Sequence, residues 1–355
     1  MEKKRFFGLD VARILALCLL YWLHFFLRNG FYSKPVDNPV MIAAVSGRII
    51  FMCCVPMFLV ITGYLKCGKT WSRGYYFSLV PILISWAIIS FICIGYKILV
   101  AGTEKTLYQW IVEFFDFSGA NYGWYIEMYI GLLLLSPFVN LAWNAAGSQK
   151  MHRRMVAVML LLTILPKTVN VLTLDGENTL NLIPNYWVNL YFFTYYLIGC
   201  YIRTYQPKVS RGLCLAGVAA IAVAFALVNC VTSQGTKMEN GFTISYNHAG
   251  TAAITVLLFL AVYQLECKNE TICRMAALIS GVTLEMYLIS CVFDQKIFAW
   301  EKGYAASQYW WRGLLATGLV FVLSFLSGWC IHQISALISK GVRRRWLTST
   351  GSCSG

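Results

Sequence analysis

Ten runs of apolar residues dominate this chain, most of them near the ~20 residues that a helix needs to cross the ~30 Å hydrocarbon core of a bilayer. They cover Leu9–Leu27, Ser46–Leu65, Phe77–Val100, Gly123–Trp143, Met155–Leu174, Trp187–Ile202, Leu213–Thr232, Ala249–Leu265, Ala276–Phe298 and Trp310–Leu337. Lipid offers the backbone no hydrogen-bond partners, so runs this long and continuous must satisfy themselves as helices. The sequence therefore predicts an all-α fold, a polytopic transmembrane helix bundle of about ten spans. Pro166, Lys167 and Asn170 interrupt the fifth run, and the sixth is short and holds Asn189, so eight spans is the alternative count. The longest connections, near Arg28–Val45 and Val100–Tyr122, are only about 20 residues, too short for a separate soluble domain. Residues 1–345 are expected to form one integral membrane domain and 346–355 a short C-terminal tail.

Charge agrees with this class. Only 12% of residues are charged and 59% are hydrophobic, whereas about a quarter of a soluble domain is charged. The net charge of +14 could point to nucleic acid, but the basic residues fall on alternate connections. Lys3, Lys4, Arg5; Lys66, Lys69, Arg73; Lys150, Arg153, Arg154; Arg203, Lys208, Arg211; Lys268, Arg274; and Lys340, Arg343, Arg344, Arg345 all lie on one side of the expected topology. The other side holds most of the acids, including Asp37, Glu104, Glu113, Asp116, Asp175, Glu177, Glu239, Asp294 and Glu301. That is the positive-inside pattern, with both termini cytoplasmic. It argues against a nucleic-acid partner, which would want a single basic stripe. The 15% aromatic content fits rings at headgroup level, as at Trp71, Tyr75 and Tyr76. Met1–Arg5 and the first run resemble a secretory signal, but the run is too long and lacks a small-residue cleavage site, so it is expected to remain as a span. The thirteen cysteines show no CxxC pair and no Cys/His metal spacing, so neither zinc nor a disulfide framework is expected, and they read as packing residues.

The first run also carries Asp10, Arg13 and His24. At ~100° per residue, Asp10 to Arg13 and Asp10 to His24 each close to within about 60°, so the three share one helix face. Ionisable groups inside a bilayer cost several kcal/mol and by default mark function. Glu285 is at mid-membrane depth and is expected to face the bundle interior, against Arg13 or a water-filled channel. His152 and His332 read as structural, and His248 as a cap or interface residue at a helix start. Pro56 and Pro137 predict kinks.

Phe7-Gly8-Leu9-Asp10-Val11-Ala12-Arg13, then His24, then Val55-Pro56-Met57-Phe58 through Thr62-Gly63-Tyr64, resembles the acyltransferase 3 family of membrane O-acyltransferases. An aspartate, a basic residue three later and a histidine fourteen after the aspartate open that family, and this chain keeps the spacing. Gly123-Trp124-Tyr125-Ile126-Glu127-Met128-Tyr129, closing at Ser136-Pro137, and Tyr195-Tyr196-Leu197-Ile198-Gly199-Cys200-Tyr201 are similar to later family segments. Two departures stand out. A single arginine, Arg73, precedes Pro81 where relatives have two, and Met286-Tyr287-Leu288-Ile289-Ser290 ends in serine where relatives have histidine.

The resemblance implies an O-acetyltransferase of the cell membrane, a multi-pass protein of the bacterial cytoplasmic membrane. It implies an acyl-CoA donor, most often acetyl-CoA, as a substrate with no permanently bound cofactor. The implied acceptor is a hydroxyl of a sugar or polysaccharide of the cell envelope; homo-oligomers are compatible with all of this. His24 is ~16 Å along the helix from Arg13, so Asp10 and Arg13 cannot orient its imidazole directly. By depth, His24, Glu127 and Arg48 lie at similar levels. His24 is expected as general base held in its basic tautomer by Glu127, with Arg48 holding the acceptor or the developing oxyanion. Asp10, Arg13, Trp124 and Tyr125 are expected substrate contacts, and Lys69 and Arg73 contacts for polyanionic coenzyme A. The alternative is a transporter or flippase for a polysaccharide precursor or anionic solute, whose intramembrane charges would line the path. It predicts inverted repeats, and none is evident; no GxxxxGK[ST] loop occurs either.

Overall fold

The computed structural model describes residues 6–170, 181–233, 235–238 and 245–351. Lys3, Lys4, Arg5, Asp175, Glu177, Glu239, the end of the fifth run (171–174) and the last four residues of the expected tail lie outside these. Among the described residues the chain forms fifteen α-helices and no strand beyond one isolated bridge between Pro35 and Lys237. In order they are α1 Phe7–Arg28, α2 Pro39–Phe51, α3 Cys54–Lys66, α4 Arg73–Phe77, α5 Val80–Leu99, α6 Leu107–Phe115, α7 Trp124–Ala146, α8 Gln149–Thr163, α9 Leu165–Val169, α10 Tyr191–Tyr205, α11 Arg211–Ser233, α12 Ala249–Val262, α13 Glu270–Gly281, α14 Thr283–Ala299 and α15 Tyr309–Gly351. The last helix runs on through residues 346–351, where a tail was expected.

Six segments among the described residues are long and apolar enough to cross a membrane: Phe7–Arg28, Pro39–Lys66, Arg73–Leu99, Trp124–Ala146, Arg211–Ser233 and Ala306–Arg344. These correspond to six of the ten expected runs. The ninth run is the pair α13 and α14, bent by 63° at their junction. The fifth, sixth and eighth are helical but shorter, with 15 residues in α8, 15 in α10 and 14 in α12. The fifth breaks where its sequence says it should. Pro166 opens α9, because a proline ring suits the first turn of a helix and not its interior. Pro56 acts in the same way. Its ring would clash with the carbonyl four residues back, at Met52, and α2 ends at Phe51 with α3 starting at Cys54. α7 continues through Pro137.

The helices sort into two compact units. One comprises Met1–Gly68, Asn140–Ser280 and Ile297–Thr317, the other Lys69–Val139, Gly281–Lys296 and Gly318–Gly355.

In the first unit α1 packs on α2 and α3, α3 on α10, and α11 on α2 and α12. Glycines set the closest of these approaches. A Cβ at Gly199 would run into the Val60 carbonyl and come within 2.7 Å of the Tyr64 amide, and one at Gly63 would strike the Tyr196 carbonyl. Gly63 and Gly199 are therefore small-residue contacts that let α3 and α10 meet backbone to backbone, the main packing device available in lipid. Gly8 plays the same part for α1 against the carbonyls of Val262 and Tyr263. Gly199→Val should cost more than the ~1–3 kcal/mol of ordinary overpacking, since the obstacles are backbone atoms. The expected result is loss of the monodisperse detergent-solubilised protein by fluorescence-detected size exclusion. Gly131→Ala, with nothing within 4 Å of the added methyl, should leave the profile unchanged.

In the second unit α5, α6, α7, α14 and α15 carry buried polar groups. Gly328 of α15 sits against the backbone of Glu285 and Met286 in α14, where an added Cβ would come within 3.0 Å of the Met286 amide. The Tyr75 hydroxyl donates to the Leu133 carbonyl at 3.0 Å, tying α4 to α7. The Tyr122 hydroxyl donates to Asp294 Oδ2 at 2.5 Å and the Tyr287 hydroxyl to the Tyr122 carbonyl at 2.9 Å. Thr106 and Gln109 form a capping box that starts α6.

Candidate active site

The polar stripe on α1 is real as a face, with Asp10 and His24 buried and Arg13 partly exposed. Asp10 is 3% exposed and His24 7%. Near the start of the helix, Asp10 accepts from the Ser280 hydroxyl of α13, and Arg13 Nη1 stands 3.6 Å from Asp10 Oδ1. The aspartate thus serves both an ion pair and a tie to a second helix of its unit.

His24 lies near the other end of α1, and Trp22, Phe25 and Phe26, its neighbours in sequence, carry ring contacts to other elements. Trp22 stacks on Phe51 with centroids 5.4 Å apart, Phe26 meets Phe31 at 4.8 Å, and Phe25 meets Phe298 at 5.6 Å. Trp310 closes on Trp22 at 5.7 Å and lies against Gly47, where any side chain would collide with it.

Arg48 is the second buried ionisable group here, 3% exposed on α2. Its Nε donates to the Tyr32 hydroxyl at 2.5 Å, Nη1 lies 3.3 Å from the Met52 sulfur, and the guanidinium is 5.5 Å from the Tyr32 ring centroid. No carboxylate among the described residues forms an ion pair with it. Phe51, one turn beyond Arg48, touches Trp22 and Phe26, which flank His24. His24 and Arg48 are therefore within about one helical turn of a common level in their unit. Burial pushes the Tyr32 phenol above its ordinary range, and the charge and hydrogen bond of Arg48 pull it part of the way back. A guanidinium beside a phenol, with no carboxylate paired to it among the described residues, is equipped to hold an anion or a developing oxyanion.

The other expected residues belong to the second unit. Glu127 is exposed on the first turn of α7. Tyr125 is buried, stacked on Tyr129 at 5.5 Å and edge-on to Tyr287 at 5.6 Å, and Trp124 packs on Tyr125 at 6.1 Å. These two therefore belong to an aromatic cluster between α7 and α14. Lys69 and Arg73 are exposed where that unit begins, with Ser72 capping α4. Among the described residues no three His, Cys, Asp or Glu side chains converge as a metal ion would require.

Glu285 gains definite partners. Its Oε1 accepts from Ser85 at 2.8 Å and lies 3.0 Å from His332 Nδ1, and Ser85 is 2.9 Å from the Ser335 hydroxyl. This four-residue network joins α5, α14 and α15. His332 was read as merely structural, and nothing near it in sequence signals a partner 47 residues away. Ser290, at the family's histidine position, donates back to the Tyr287 carbonyl of its own helix at 2.8 Å.

His152 and His248 are structural. His152 stacks on Trp143 at 3.8 Å and bonds the Tyr205 hydroxyl and the Trp143 carbonyl. His248 caps α12, its Nδ1 accepting from the Gly250 amide at 3.1 Å, and burial pulls its pKa down to about 4. A base whose folded pKa lies below its unfolded value binds fewer protons when folded. Its neutral form contributes full stability above the unfolded pKa of ~6.5, and stability falls as pH drops from there towards 4. Going from pH 7.5 to pH 5 should therefore cost about 2 kcal/mol through this residue. His248→Asn keeps an N-cap acceptor and should flatten the dependence of thermal stability on pH in detergent across that window.

An all-helical chain with several membrane-length segments and ionisable side chains buried among its helices defines a polytopic membrane protein. The sequence profile of the acyltransferase domain family, acyltransferase 3, matches residues 6–332, and the chain belongs to that family. It is a membrane acyltransferase. No curated protein and no solved structure matches it.

Proposed function

We propose that the protein moves an acyl group, acetyl in the simplest case, from cytoplasmic acyl-CoA to a hydroxyl of a cell-surface sugar or polysaccharide. The observation that carries this reading is Arg48, a buried guanidinium with a phenol and no carboxylate beside it, at the level of His24. His24 takes the proton of the acceptor hydroxyl, whose oxygen attacks the thioester carbonyl. Arg48 stabilises the oxyanion of the tetrahedral intermediate. Collapse breaks the carbon–sulfur bond, and the imidazolium returns its proton to the departing coenzyme A thiolate, leaving an ester and free thiol. The polar stripe at Asp10 and Arg13 and the cations Lys69 and Arg73 serve the polyanionic donor at the cytoplasmic face. The reading includes ten crossings, with the bent pair and the three shorter helices completing the count, and both termini in the cytoplasm of a cell-envelope membrane. Membranes incubated with acetyl-CoA labelled in the acetyl group test it. Label entering a glycan fraction supports the reading, and solute uptake without label transfer supports a transporter instead.

A further inference from the structure

Away from the groups discussed above, the second unit brings two sulfurs together. Cys93 of α5 and Cys291 of α14 are 198 residues apart in sequence, and their Sγ atoms are 3.3 Å apart. Both are buried free thiols. Reaching the ~2.05 Å of an S–S bond requires the sulfurs to approach by only about 1.3 Å, which rotation about χ1 and a slight helix shift can supply.

A buried thiol is inert unless a reagent can reach it. Both cysteines line a cavity of about 310 Å³ that also takes in Tyr96, Lys97, Lys105 and Glu113. Glu113 is clamped by Lys97 and by Lys105, the latter at 2.6 Å. Burial alone would raise the Glu113 carboxyl, but the hydrogen bonds and charges of the two lysines outweigh it and hold it below the usual carboxylate range. The cavity wall therefore stays ionised, and Lys97, one turn along α5 from Cys93, puts a cation on the wall that both sulfurs share. A cationic, partly open surrounding is where thiols exchange.

We propose that Cys93 and Cys291 form a reversible dithiol–disulfide site, oxidised from this cavity by a low-molecular-weight disulfide. One cysteine, as thiolate, attacks a sulfur of the small disulfide, releasing one small thiol and leaving a mixed disulfide. The second cysteine attacks the protein-bound sulfur and releases the other small thiol. The protein loses two electrons and two protons, and the small disulfide gains them. The product bond fastens α5 to α14.

The test uses the full chain with a protease site inserted between Lys208 and Val209, in the exposed stretch between α10 and α11. That cut leaves Cys67 and Cys200 on one fragment and Cys267 and Cys273 on the other, so Cys93 and Cys291 bridge it. Purified protein is exposed to oxidised glutathione, blocked with N-ethylmaleimide, cleaved and run on a non-reducing denaturing gel. The fragments should migrate together until dithiothreitol is added, and should separate in Cys93→Ser, Cys93→Ala and Cys291→Ser. Fragments that separate after oxidation of the otherwise unaltered chain, or that stay joined in the Cys93 variants, overturn the proposal.

Discussion

Membranes carrying His24→Ala are expected to transfer about 10²–10⁴-fold less labelled acetyl to glycan than membranes with the unaltered chain, the range that loss of a general base commands. His24 is buried, so truncation leaves a small cavity of the kind that costs stability; the comparison therefore needs protein quantified after detergent extraction and size exclusion. His24→Gln separates the two effects. It nearly fills the space and can hydrogen-bond, yet cannot accept the hydroxyl proton at neutral pH. Transfer should stay low in His24→Gln while the elution profile returns to normal. Undiminished transfer by well-folded His24→Ala would falsify the role of this residue as base.

Arg48→Met should lower transfer by about 10²–10³-fold, the typical loss when one oxyanion donor is removed. Its effect on folding should be small, because of the partners Arg48 has. Removing one member of a buried ion pair strands the other charge and costs several kcal/mol. Arg48 has no such partner among the described residues; its truncation removes one bond each from the Tyr32 hydroxyl and the Met52 sulfur. An activity loss with little loss of stability is thus the expected signature. Arg48→Lys should recover little, since a single ammonium cannot keep the Tyr32 contact and also present a second donor to an oxyanion. If Arg48→Met destabilises the protein as strongly as it lowers transfer, the guanidinium is a structural cation and not a transition-state contact.

Much of the helical layout was legible from apolar length, because the bilayer imposes one thickness on every crossing. The six segments that meet it outright, the break before Pro56 and the restart at Pro166 all follow from local rules of length and proline geometry. The bend of 63° between α13 and α14 falls at Ser280-Gly281, a Gly/Ser pair of the kind that kinks helices, within a run, Ala276–Phe298, that reads as continuous by apolar length alone. Two motif glycines were visible, but their purpose was not. Gly63 and Gly199 are explained by the approach of α3 to α10, a fact about two helices far apart in sequence.

The candidate site divides along the same line. Asp10, Arg13 and His24 could be put on one face from spacing alone, because a single helix fixes the angle between its own residues. That Arg48 is buried beside Tyr32 with no acid, that Glu285 is met by Ser85 and His332, and that Cys93 touches Cys291 are relations between elements. The amino-acid sequence by itself determined the membrane class, the helices and the shared polar face of α1, since hydrophobic length and helical period act within a segment. Only tertiary structure decided which buried charges are paired among the described residues. A charge in a low dielectric is governed by the few groups within hydrogen-bond reach, and packing alone selects them.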